Sequence, residues 1–147
     1  MSDSIDTRYL ENLLGYNTRR ATLVIVADFM EQMEAYDLST VEFSVLSLIR
    51  HNPGITSRQI CAALNILPPN LVGLLKRIEK RELITRAPHL TDGRAIGLTL
   101  TPSGEKLTQA AEKTAASSDA HCLSQLSTPE QEVLKKLLKK IYRPSAT

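Results

Sequence analysis

Apolar positions in this chain recur at helical spacing almost everywhere and alternate in one short region. From Asp6 to about Tyr36, Leu10, Leu13, Leu14, Ala21, Val24 and Ile25 supply one face of a long helix. The stretch "LSTVEFSVLSLIRHNPG" opens with Ser39-x-x-Glu42, a capping box that satisfies two otherwise orphaned amides. That helix stops near His51, because Pro53 cannot donate a backbone bond and Gly54 tolerates the turn. A third helix starts at Thr56, whose hydroxyl caps while Gln59 reaches back, and runs through Ile60, Ala63 and Leu64. In "LNILPPNLVGLLKRIEKREL", Pro68 and Pro69 suit only a first helical turn, after which Leu71, Leu74, Leu75 and Ile78 make one buried stripe. Pro69, Asn70, Val72, Gly73, Lys76 and Arg77 are left facing away from the core, and Glu82 marks an ordinary solvent-facing exit. A short helix, a tight connection and a proline-led helix make a helix-turn-helix.

Alternation takes over next. Leu83-Ile84-Thr85-Arg86-Ala87 and Ile96-Gly97-Leu98-Thr99-Leu100 read as two strands around Asp92-Gly93-Arg94. An Asp-Gly pair between such runs predicts a hairpin, with Gly93 supplying a positive φ. Thr101-Pro102 then caps a helix running to about Leu126, and Ser127-Thr128-Pro129-Glu130 starts a last one. Its apolar stripe is Val133, Leu134, Leu137, Leu138, Ile141 and Tyr142, while Lys135, Lys136, Lys139 and Lys140 face away. The central segment already supplies its own core from Phe43, Leu46, Ile49, Ile60, Leu64, Leu71, Leu74 and Leu75. The flanking helices are therefore expected to form a layer shared by two subunits. The fold class is mainly α with a small β-hairpin: a winged helix-turn-helix core plus N- and C-terminal dimerisation helices. Three segments follow: residues 1–38 for dimerisation and a possible effector pocket, 39–100 for the lobe, and 101–147 for further dimerisation.

Charge changes the picture more than composition does. Net charge is only +2, yet residues 55–100 hold seven Lys/Arg against three acids, and the rest of the chain is slightly acidic. A basic middle of this kind suits a nucleic-acid contact surface. Two distant cysteines, Cys61 and Cys122, lack the CxxC spacing of a metal site, and the three histidines show no ligand spacing. Neither metal nor cofactor is expected, nor a membrane span, and the thiols suit the reducing cytoplasm. No Ser/His/acid set and no phosphate-cradling glycine loop points to an enzyme.

The order and spacing of "RIEKRELITRAP", "TDGRAIGLTLTPSGEKL" and the six-helix frame resemble the MarR family of regulators over nearly the whole chain. That resemblance implies a dimeric, cytoplasmic regulator, usually a repressor, of double-stranded operator DNA. Its effector would be a small aromatic or phenolic compound or a related acyl thioester. The proline-led helix would lie in the major groove, with Asn70 bonding adenine and Pro69 and Val72 meeting thymine methyls. Gly73 would allow close approach, and Lys76 and Arg77 would sit one turn on, nearer phosphate. Thr56, Ser57 and Arg58 would meet phosphate at a helix start. Arg94, with Arg86 on the preceding strand, would serve the wing, and Asp92 and Gly93 would shape its tip. Arg94 suits the negative potential of a narrow minor groove. Tyr16, Arg19, Arg20, Phe43 and His51 are the candidate effector residues. The chain departs from the family where Pro68, Pro69 and Gly73 replace the usual small hydroxyl residues and Arg, and where Glu82 replaces a common Gly. These changes leave the groove-facing surface poor in hydrogen-bond donors.

Two other readings compete. Cys61 or Cys122 could make the same fold a redox switch, although family redox sensors carry their cysteine early in the first helix, where this chain has none. Alternatively the winged helix could serve protein contact only, which the basic excess argues against.

Overall fold

A computed structural model of the chain describes residues 4–143. The chain packs as two compact units. One runs from Phe29 to Ala116, and the other joins the residues up to Asp28 to those from Ser117 onward. The first unit is therefore larger than the 39–100 segment expected for the lobe.

In the 29–116 unit, the end of α2 (Leu14–Met33) leads through a 3-10 turn at Glu34–Tyr36 into α3 (Thr40–His51). Strand β1 (Ile55–Thr56), α4 (Ser57–Leu64) and α5 (Pro68–Lys80) follow, then β2 (Ile84–Pro88), β3 (Ile96–Leu100) and the start of α6 (Pro102–Cys122). Both expected capping boxes are present: Ser39 with Glu42 on α3, and Thr56 with Gln59 on α4. The sheet order is β1-β3-β2, all antiparallel, with Ile55 opposite Leu98 and Ile84 opposite Leu100. The two-residue strand β1 was not legible in the sequence, because Ile55-Thr56 is too short to show alternation. Met33, Leu46, Ile49, Ile60, Leu71, Ile78 and Leu98 are fully buried together, while Phe43 and Leu64 pack half-buried at the margin.

Polar pairs fix the edges of this core. Arg77 Nε donates to the buried Glu42 carboxylate at 2.5 Å, and Arg81 donates to the Asp37 and Tyr36 carbonyls at 2.6 and 2.9 Å. Between α3 and α6, Arg50 bridges Glu105 and Glu112 at 2.7 and 2.6 Å. Ser47 and His51 complete the ring around Glu112, at 2.8 and 2.9 Å. Burial alone would push the Glu112 carboxyl up, but Ser47, His51 and Arg50 together hold it below the ordinary carboxylate range.

The other unit contains α1 (Arg8–Glu11), the start of α2, the end of α6 and α7 (Thr128–Tyr142). The single helix expected from Asp6 to Tyr36 is thus broken. Asn17 Nδ2 donates to the Glu11 and Leu13 carbonyls at 2.7 and 2.9 Å, taking up acceptors that the break releases. The last helix, α7, starts where expected, and Ser127 and Glu130 form a capping box there. Its apolar stripe stays exposed, with Leu137 at 51%, Ile141 at 63% and Tyr142 at 66%. Leu14 and Val24 on α2 are exposed as well.

Candidate nucleic-acid interface

The sequence of α5 sorts its two faces cleanly. Leu71, Leu74, Leu75 and Ile78 are buried, and Pro69, Asn70, Val72, Gly73, Lys76 and Arg77 are exposed. The prolines occupy the first two helical positions, where a missing N–H leaves nothing unsatisfied. Asn65, in the left-handed region at φ 51°, ends α4 and turns the chain toward α5. Helix α4 packs on α5, and α5 on β2, so the outer face of α5 and the wing belong to one packed lobe. A cation on this surface that is already paired must give up its partner before it can serve phosphate. A Cβ on Gly73 would meet nothing within 4 Å, so the helix surface there is open.

The seven cations of residues 55–100 divide by that criterion. Arg77 is held on Glu42, Arg86 Nε donates to Glu79 at 3.1 and 3.2 Å, and Arg81 binds backbone carbonyls. Arg58, Lys76, Lys80 and Arg94 have no ion pair among the described residues. Arg77 and Arg86 are therefore structural cations first. Lys80, at the end of α5, belongs to the second group, although it is not among the residues expected to meet DNA. Thr56, Ser57, Arg58, Arg86 and Asp92 line one groove between the start of α4 and the wing.

The wing corrects the hairpin expected from Asp92-Gly93. Strands β2 and β3 are joined by the long loop His89–Ala95 instead of a two-residue turn. Gly93 does not take a positive φ; among the described glycines only Gly54 does, at 88°. The loop is closed by polar contacts instead. Thr91 N and Asp92 N donate to His89 Nδ1 at 3.3 and 3.2 Å, and Arg94 N donates to Asp92 Oδ1 at 3.1 Å. His89 N donates to the Ala95 carbonyl at 2.9 Å, and Ala95 N to the Asp92 carbonyl at 3.0 Å. Asp92 thus holds the loop that carries Arg94, and the Arg94 guanidinium has no ion pair among the described residues.

Glu82 is a second correction. It adopts φ 59°, a left-handed conformation, so the helix exit is not ordinary. Its carbonyl accepts from the hydroxyls of Thr101 and Ser103, at 2.6 and 3.2 Å. Gly104 follows because a Cβ there would collide with the Leu83 carbonyl.

The other candidate residues fall in both units. Tyr16 is half-buried, and Arg19 and Arg20 stand exposed, in the unit that ends at Asp28. In the other unit, Phe43 packs edge-on against Phe29 with centroids 5.1 Å apart, and His51 is engaged by Glu112. Cys61 lies half-buried against the core. Burial pushes the Cys122 thiol up, and the neighbouring Asp28 carboxylate pushes it further, away from the reactive thiolate. Among the described residues, no helix is long and apolar enough to cross a membrane, and no group of three or more His, Cys, Asp or Glu could hold a metal ion.

The sequence profile of the MarR family matches residues 36–95. The transcriptional regulator HosA of Escherichia coli is 33% identical over 110 residues, 75% of this chain and 82% of HosA. The chain belongs to the MarR family. The transcriptional repressor CouR bound to a 23-mer DNA duplex aligns with this MarR-family chain at a TM-score of 0.89 and 32% identity, over 96% of this chain and 100% of CouR. CouR bound to p-coumaroyl-CoA aligns at 0.82 and 32%, over 95% and 99% of the two chains. As a MarR-family member with a complete winged helix-turn-helix, the protein is a transcription regulator.

Proposed function

We propose that this protein is a cytoplasmic, homodimeric repressor that acts by binding alone. A small aromatic or phenolic compound, or a related acyl thioester, releases it from operator DNA. The observation that carries the reading is the division of α5: an apolar face wholly buried and an opposite face wholly exposed, beside a wing whose Arg94 has no ion pair among the described residues. In this reading Asn70 bonds adenine in the major groove, and Pro69 and Val72 pack on thymine methyls. Arg58 and Lys76 neutralise phosphate, and Arg94 enters the minor groove. Residues 39–100 read the duplex, and residues 1–38 and 101–147 supply the dimer layer. The exposed stripe of α7 supports that last assignment, since an apolar face of this size calls for a cover.

The effector class is supported by CouR, a repressor solved with a phenolic acyl thioester. Coupling of this kind typically changes affinity about 5–150-fold. Gel shifts on the intergenic DNA upstream of the protein's own gene test the reading, run with p-coumaroyl-CoA, with the free phenolic acid and with coenzyme A. Retarded DNA that weakens steeply with salt, and is released by an aromatic compound but not by coenzyme A, is the expected result. Absence of any retardation at low salt contradicts it.

A further inference from the structure

Leu90 stands fully in solvent, at 101% of its reference exposure, the highest value of any large apolar side chain described. The loop that carries it is closed by hydrogen bonds on either side. His89, immediately before it, accepts from the amides of Thr91 and Asp92 through Nδ1, and the His89–Ala95 amide-to-carbonyl bond closes the loop at its base. These hydrogen bonds flank Leu90 on both sides in the chain, and its side chain is left wholly exposed. The same loop presents the Arg94 guanidinium, which has no ion pair among the described residues. A cation and an exposed apolar side chain on one ordered tip match the equipment of minor-groove binders, which insert an apolar wedge between base steps while a cation follows the groove.

We propose that Leu90 is such a wedge, and that on binding it enters a base step next to the Arg94 contact and unstacks it. The proposal rests on the DNA-binding reading above and adds a source of sequence preference to it. The outer face of α5 offers few donors, since Pro69, Val72 and Gly73 occupy it. Discrimination then falls on the deformability of the duplex, and a wedge reads that property directly. Steps such as TA and CA unstack most easily, so the wing position should favour a pyrimidine–purine step.

An apolar wedge leaves a signature that a cation cannot imitate. Removing a phosphate contact lowers affinity and flattens its salt dependence, whereas removing the wedge lowers affinity at every salt with the slope unchanged. The test uses a duplex selected by the full-length protein from a random pool, with 2-aminopurine placed in turn at each position flanking the half-sites. The wild-type protein should raise the fluorescence at one step per wing. Leu90→Ala should abolish that rise and weaken binding about tenfold, with the melting temperature and salt slope unchanged. Leu90→Met should retain the rise, and Arg58→Ala should retain it while flattening the slope. Tight binding by the wild type with no fluorescence rise at any position overturns the wedge, as does a Leu90→Ala variant that keeps both rise and affinity. If the wild type selects no duplex at low salt, the DNA-binding reading itself fails, a distinct result.

Discussion

Glu82 sits where glycine would meet no steric objection, and the fold uses its carbonyl, on which Thr101 and Ser103 converge. A left-handed conformation costs an L-residue about 1–2 kcal/mol, part of which glycine gives back as lost chain entropy. Glu82→Gly should therefore raise stability by about 1 kcal/mol in urea unfolding, and a loss of stability would contradict the strain. Glu42 works in the opposite sense. Its burial would push the carboxyl up, but the Ser39 amide and the Arg77 guanidinium hold it below the ordinary range. A depressed folded pKa stabilises the protein above the unfolded value, and that stabilisation is lost as pH falls through the folded one. Glu42→Gln should cost about 1.5–3 kcal/mol at neutral pH and flatten the decline of stability as pH falls through and below the ordinary carboxylate range. Equal acid slopes in the two proteins would refute this.

Legibility differed from element to element. Caps carry their signal in three or four consecutive residues, so Ser39, Thr56 and Ser127 were placed from sequence, as was the stripe of α5. The wing strands were placed to within a residue, but the tip was not. An Asp-Gly pair is compatible with a tight turn, and here the His89 imidazole organises a longer loop by contacts that no local pattern displays. The pairing of Arg77 and Arg86 was equally hidden, because Glu42 lies 35 residues from its partner and Glu79 takes Arg86 across from α5 to β2. The junction of β2 and α6 makes a further demand. Gly104 lies against the Leu83 carbonyl, where a Cβ has no room. Gly104→Ala should lower stability by about 1–3 kcal/mol, read as a lower urea midpoint, since overpacking displaces α6 from the strand. An unchanged midpoint would show that the contact yields freely.

At the scale of the molecule, the proposed complex has two copies presenting paired helices α5 and wings to one duplex. In the proposed dimer the exposed apolar stripe of α7 and the exposed positions of α2 provide the pairing surface. Leu137→Glu combined with Ile141→Glu should convert a dimer to a monomer in sedimentation and cut DNA affinity by at least tenfold, because each lobe then binds alone. A wild-type protein already monomeric at micromolar concentration would contradict the pairing. The most direct measurement is the affinity of the wild type and of the Asn70→Ala/Arg94→Ala variant for one selected duplex, by fluorescence anisotropy at fixed salt, with folding checked by circular dichroism. Both side chains are exposed, so the variant should fold normally and bind about a hundredfold more weakly. Equal affinity of the two proteins for that duplex would mean that the helix and wing described here are not what meets the DNA.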